Sequence, residues 1–170
     1  MQEIPGYFDF EDVYGEMVER FPSGSRFVEI GVWQGKSACW MLEAIRRSGK
    51  QIHLLVVDTF NVLPNQLRLF LNNLKALGDA DVSVRIGRSQ TISGLPGLFE
   101  FVYVDGSHTF DDVWQDLQVW YPRVRAGGVF AGHDYTDQEN CPEVRPAVDR
   151  FVSERHLPLR VQGASWIIEK

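Results

Sequence analysis

The chain has 170 residues, 44% of them hydrophobic, which suits one domain around one sizeable core. A formal net charge of −6 argues against a nucleic-acid-binding surface, and no apolar run is long enough to span a membrane. Cys39 and Cys141 make neither a metal motif nor a disulfide framework, and the acidic N-terminus lacks an apolar leader. Together these features predict a reducing, cytoplasmic setting.

Taken in chain order, Asp9 to Arg20 reads as a polar helix with Val13, Met17 and Val18 available for docking. Phe21-Pro22-Ser23-Gly24 breaks it, so residues 1–23 are expected as a helical extension and 24–170 as the core. Four strand-like segments follow: Arg26–Ile30, Ile52–Val57, Val82–Ile86 and Phe101–Val104, with a fifth at Gly128–Ala131. Between them, Leu67, Phe70, Leu71, Leu74 and Leu77 recur at helical spacing, as do Phe110, Val113, Trp114, Leu117 and Trp120. Strands alternating with helices of this length predict a parallel sheet covered on both faces. His156–Val161 and Trp166–Ile168, joined around Gly163-Ala164, predict a terminal hairpin that adds two antiparallel strands. The expected architecture is thus a Rossmann-like, mostly parallel seven-stranded sheet.

In such a sheet, ligands bind beyond the carboxyl ends of the strands. The first end carries Glu29-Ile30-Gly31, then Gly35-Lys36-Ser37 at a helix start. Glycines in a strand-to-helix turn let a nucleotide-like ligand meet bare backbone, although Trp33 stands where the dinucleotide pattern has its middle glycine. Asp58 ends the second strand, where a carboxylate can accept from both hydroxyls of a ribose or cap a turn. Gly87-Arg88-Ser89-Gln90 follows the third, and Ser89 suits either a base edge or a helix cap. Phe60 suits either a base or the core. Asp105 and Asp134 follow the fourth and fifth strands, which are expected to be neighbours, so the two carboxylates could hold a hard divalent ion. His108 and His133 beside them could add nitrogen ligation or accept a proton.

The most specific pattern runs from Asp105-Gly106-Ser107-His108 through Phe110, Val113, Asp116-Leu117 and Trp120 to Gly127-Gly128 and His133-Asp134. With Glu29, Gly31, Gly35, Ser37 and Asp58, the sequence resembles class I S-adenosylmethionine-dependent methyltransferases, and most closely their small Rossmann-like O-methyltransferases. The resemblance covers roughly residues 24 to 168. It implies that Glu29 and Gly31 line the methionine portion of the cofactor, that Gly35 and Ser37 form its binding turn, and that Asp58 binds the ribose. It also implies that Gly87 and Ser89 approach the adenine and that Asp105 lies near the reacting end.

Metal-dependent relatives carry a carboxylate at the Asp105 position and an acidic pair after the fifth strand. Here that pair is His133-Asp134, so Asp105, His133 and Asp134 are the expected ligands of Mg²⁺ or another divalent metal. An acidic residue in some sugar O-methyltransferases is replaced by Ser107, which directs attention to His108 or His133 as the base. The implied reaction is methyl transfer to a hydroxyl of a small-molecule acceptor, with Asp105, His108 and His133 as catalytic residues and no nucleic-acid or membrane partner. A homo-oligomeric neighbour is one way to enclose that acceptor. Two other readings remain: a noncatalytic cofactor-binding protein, and an NAD-dependent oxidoreductase, for which no Tyr-x-x-x-Lys pair is present.

Overall fold

A computed structural model of the chain describes residues 4–92, 94, 96–137, 139 and 141–170; the first three residues of the expected extension lie outside them. The expected alternation is realised as α1 (Glu11–Arg20), β1 (Arg26–Ile30), α2 (Lys36–Ser48), β2 (His53–Asp58), α3 (Gln66–Leu77), β3 (Val82–Ile86), α4 (Ser89–Ile92), β4 (Phe99–Val104) and α5 (Phe110–Trp120). The chain continues through β5 (Val124–Gly132), α6 (Val144–Arg155), β6 (Arg160–Gln162) and β7 (Ser165–Glu169).

One seven-stranded sheet has the order β3-β2-β1-β4-β5-β7-β6. The first five are parallel, and β7 pairs antiparallel with both β5 and β6. The fifth strand is longer than the sequence suggested because Val124 pairs with Phe99 before a register shift, after which Phe101 pairs with Val129. The order reverses direction at β1, since β2 lies on one side of it and β4 on the other. That reversal opens a crevice at their carboxyl ends.

Alternation along the strands divides the core between two faces. Phe27, Leu54, Val56, Phe101, Tyr103 and Ile167 pack toward α1, α2 and α3. Val28, Leu55, Val57, Val102, Phe130 and Ile168 pack toward α5 and α6. On α2, Ala38, Met41, Leu42 and Ile45 recur at three- and four-residue steps and form its buried stripe. Val113, Leu117 and Trp120 do the same for α5. The first helix shares this core, because Val13, Tyr14, Met17 and Val18 are all buried against the sheet. Among the described residues no helix is long and apolar enough to cross a membrane.

Candidate active site

Two sizeable cavities stand out among the described residues. The larger, about 760 Å³, lies between α1 and α2 among Phe8, Val18, Trp40 and Ala44, away from the strand ends. The other, about 540 Å³, lies at the carboxyl ends of β1, β2 and β4 and beside the turn after β3. Its lining includes Gly31, Asp58, Gly87, Ser89, Asp105 and His108. Convergent polar groups at a topological switch point make this second cavity the candidate site.

The first turn explains its glycine. Gly31 has φ 79°, and a Cβ there would lie 2.0 Å from the Asp105 carbonyl oxygen. The turns after β1 and β4 therefore touch through bare backbone. Gly35 has φ 90° and seats the N-terminus of α2 so tightly on Phe70 that a Cβ would lie 2.5 Å from the ring. Trp33 takes φ 49° between them, a left-handed conformation unusual for a bulky residue, and remains 40% exposed at the cavity edge.

Asp58 is held by the backbone. Its Oδ2 accepts from the Val32 amide at 2.8 Å and its Oδ1 from the Phe60 amide at 2.6 Å. Each carboxylate oxygen keeps a further lone pair for a ligand hydroxyl. Phe60 is buried against Phe70, with ring centroids 5.2 Å apart, so it packs the core. Gly87 and Ser89 line the same end of the cavity, and the Ser89 hydroxyl donates to the carboxylate of Asp116 on α5.

Glu29 is completely buried on the inner side of the first turn. Its side chain accepts from Ser37, and burial pushes its carboxyl up to about 8, with the Ser37 hydrogen bond opposing. It is Ser37 that reaches the small recess of about 50 Å³ where Gly31 and Asp105 meet. The N-terminal segment borders that recess through Pro5, Gly6 and Tyr7, and Lys36 Nζ donates to the Gly6 carbonyl at 3.0 Å.

At the other end, ligand atoms of Asp105, His108 and Asp134 all lie within 4.8 Å of one another. His108 Nε2 is 2.9 Å from Asp134 Oδ2. His133 is buried behind the two carboxylates, its Nδ1 3.3 Å from Asp134 and 3.9 Å from Asp105. Its Nε2 is 2.8 Å from Asp9 Oδ1, so the residues before α1 contribute to this cluster. Asp134 sits at φ 60°, a left-handed conformation of the kind that collects at functional sites.

The charges shift one another. Burial pushes the Asp105 carboxyl up to about 6, with His133 opposing. Burial disfavours a charged His133, but the hydrogen bond to Asp134 and the fields of Asp105, Asp134 and Asp9 raise it to about 9. For Asp134 burial works upward, yet the hydrogen bonds and charges of His108 and His133 hold its carboxyl well below the usual carboxylate range. Two carboxylates and one imidazole are a donor set that fits a divalent cation. The structure brings His108 into that set directly, whereas both nitrogens of His133 are already committed to carboxylates.

Sequence reasoning gave no role to Asp9 or Asp116. Asp116 lies inside the motif that carries the resemblance, which is the signal the sequence offers; its pairing with Ser89 is visible only in the fold. Asp9 has no such signal, because it reaches His133 across 124 positions of sequence.

An open α/β sheet with a carboxylate ending β2 and a glycine turn ending β1 defines a nucleotide-cofactor site of the Rossmann-like class. A methyltransferase-domain family matches residues 28–135, which is more than half of the chain. The chain belongs to this family, and those residues form a domain of the S-adenosylmethionine-dependent class. An uncharacterized protein of Acanthamoeba polyphaga mimivirus is 26% identical over 135 residues, 75% of this chain and 59% of that protein. The chain thus spans about three-fifths of the length of this curated relative.

Similar solved structures include cofactor-bound Rv0187 from MTB, with TM-score 0.77 and 16% identity, covering 99% of this chain and 83% of that one. CalS11, a TDP-rhamnose 3′-O-methyltransferase of calicheamicin biosynthesis, has TM-score 0.72 and 16% identity, covering 94% of this chain and 76% of that one. The O-methyltransferase NovP has TM-score 0.69 and 20% identity, covering 94% and 78% respectively. At these identities the likeness is one of fold.

Proposed function

We propose that the protein transfers a methyl group from S-adenosylmethionine to a hydroxyl oxygen of a small molecule, with a divalent cation held by Asp105, His108 and Asp134. The observation that carries this reading is the cluster of those three ligands, two of which, Asp105 and His108, line the cavity that Asp58 also lines. Two of the structural neighbours are O-methyltransferases by name, one acting on a sugar nucleotide, and they support a hydroxyl-bearing acceptor.

When bound, the cofactor supplies an activated methyl on a sulfonium, and the cation supplies Lewis-acid polarisation of an acceptor oxygen. The remaining work belongs to the chain. Asp58 accepts from the ribose hydroxyls, its carboxylate pre-aimed by the Val32 and Phe60 amides. Gly31 allows backbone approach, and Ser37 faces the amino-acid end beside the N-terminus of α2. Asp105 and Asp134 hold ligand oxygens toward the acceptor. His133 bridges Asp134 to Asp9 and fixes the orientation of that carboxylate.

A second reading gives His108 the acceptor proton directly. Its contact with Asp134 favours this, because a carboxylate on one ring nitrogen orients the other toward substrate. Asp134, and not Asp105, would then be the orienting partner.

The test is methyl transfer onto a panel of phenols and sugar hydroxyls, read as release of S-adenosylhomocysteine, with and without Mg²⁺ or Mn²⁺. Turnover that disappears on chelation and returns with metal supports the cation-assisted reading. Turnover indifferent to chelation but lost in His108→Ala favours the second. Failure of folded protein to bind S-adenosylhomocysteine contradicts both.

A further inference from the structure

The cavity is lined by Asp105, by Asp58 and by Gly87–Gln90 with Asp116, and a separate small recess by Ser37 also meets Asp105. If the sugar lies on Asp58, as the proposed function requires, the base is left facing Ser89 and Asp116. Ser89 is 7% exposed and Asp116 3% exposed, yet both line the cavity. Their hydrogen bond runs from the serine hydroxyl to the carboxylate.

A hydroxyl has one proton and two lone pairs, whereas an ionised carboxylate only accepts. With its proton committed to Asp116, Ser89 can offer a ligand nothing but lone pairs. It then complements a donor and opposes another acceptor. The 6-amino group of adenine is a donor; the 6-oxo group of hypoxanthine is an acceptor.

We propose that Asp116 is a positioning residue that fixes the Ser89 hydroxyl as an acceptor and thereby makes the site select a 6-aminopurine over a 6-oxopurine. This rests on the cofactor reading above. The carboxylate is far enough from solvent that water does not compete for the hydroxyl proton. Burial also pushes Asp116 up to about 7, with the Ser89 hydrogen bond opposing and Asp112 adding to the rise. Selectivity is therefore best measured at pH 8.5, where the acid is ionised.

The experiment is calorimetric binding of S-adenosylhomocysteine and its 6-oxo counterpart, S-inosylhomocysteine, to wild type, Asp116→Asn and Ser89→Ala. Wild type is expected to prefer the adenosyl compound by roughly 10- to 100-fold, the range for one buried hydrogen-bond mismatch. In Asp116→Asn the amide can donate to Ser89 and release its proton toward the ligand, so the preference falls to within about threefold. Ser89→Ala removes the selecting atom itself, at the cost of the Asp116 hydrogen bond, and is expected to lose the preference similarly. The double variant should lose no more than either single one, because the two act as one unit.

A merely structural role for Asp116 predicts that both ligands weaken by the same factor with their ratio preserved, and that outcome overturns the proposal. So does equal binding of the two ligands by wild type. Binding of neither compound to folded wild type overturns the cofactor reading together with this one, whereas strong adenosyl binding with an unaltered ratio in the variants overturns this one alone.

Discussion

The two ends of the cavity are built differently. At the end proposed for the nucleoside, groups are fixed singly: Asp58 by the Val32 and Phe60 amides, and Ser89 by the one carboxylate of Asp116. At the end proposed for the reaction, Asp105, His108, His133 and Asp134 hold one another, and Asp9 arrives from far away in sequence. Fixed hydrogen-bonding groups suit a ligand whose shape never varies. A charge cluster suits a cation and an acceptor whose developing charge must be balanced. The difference predicts that, on the proposed function, cofactor binding and chemistry are lost separately.

The joint between the ends is Gly31, and replacing it should break both. Gly31→Ala places a Cβ against the Asp105 carbonyl at a positive φ. We expect destabilisation of about 3 kcal/mol or more in urea unfolding, and loss of S-adenosylhomocysteine binding by whatever protein folds. The ends separate in a paired comparison. Asp58→Ala should weaken S-adenosylhomocysteine about 100-fold, since two charge-assisted hydrogen bonds to the ribose disappear and two backbone amides lose their partner. Asp105→Asn should change that affinity less than about threefold while abolishing transfer. Loss of cofactor affinity in both variants to the same degree would undo the division.

The buried support beneath the first turn gives a smaller, pH-dependent effect. Glu29 in the folded protein titrates at about 8 against an ordinary 4.5. Between those values the folded state keeps a proton that the unfolded chain has released. Stability therefore falls as pH rises through this window, by at most about 1.4 kcal/mol per pH unit from this group. Glu29→Gln should flatten the dependence of Tm on pH between 5 and 8 relative to wild type. A parallel pair of curves would show that Glu29 does not carry the proton. The smallest effect is expected at Asp9, whose side chain is half exposed. Asp9→Ala should cost about 1 kcal/mol in urea unfolding, after discounting for solvent screening.

Much of this was legible in the sequence because it depends on short-range pattern. Strand periodicity located every parallel strand, and the residues following each strand had to share one rim once the strands were parallel. Asp58, Gly87, Ser89, Asp105 and His108 consequently lie on the same cavity, as expected. Glu29 sits in the same motif but alternates to the inner face of β1, so it supports Ser37 from below. Gly35 likewise serves the packing of α2 on Phe70, which no turn pattern could reveal. The protonation of His133 depends on three carboxylates brought together by tertiary structure, one of them Asp9. Adjacency in the sequence makes His133 the expected metal ligand; the fold instead brings His108 Nε2 to 2.9 Å from Asp134 and sets His133 Nε2 against Asp9.

The central claim, one cavity with two separable ends, is tested most directly by calorimetry of S-adenosylhomocysteine and of Mn²⁺ on wild type and Asp105→Asn. The account predicts that both proteins bind S-adenosylhomocysteine with similar affinity and that only wild type gives a saturable heat with Mn²⁺. Absent cofactor binding in wild type, or cofactor binding lost together with the metal in Asp105→Asn, would contradict it.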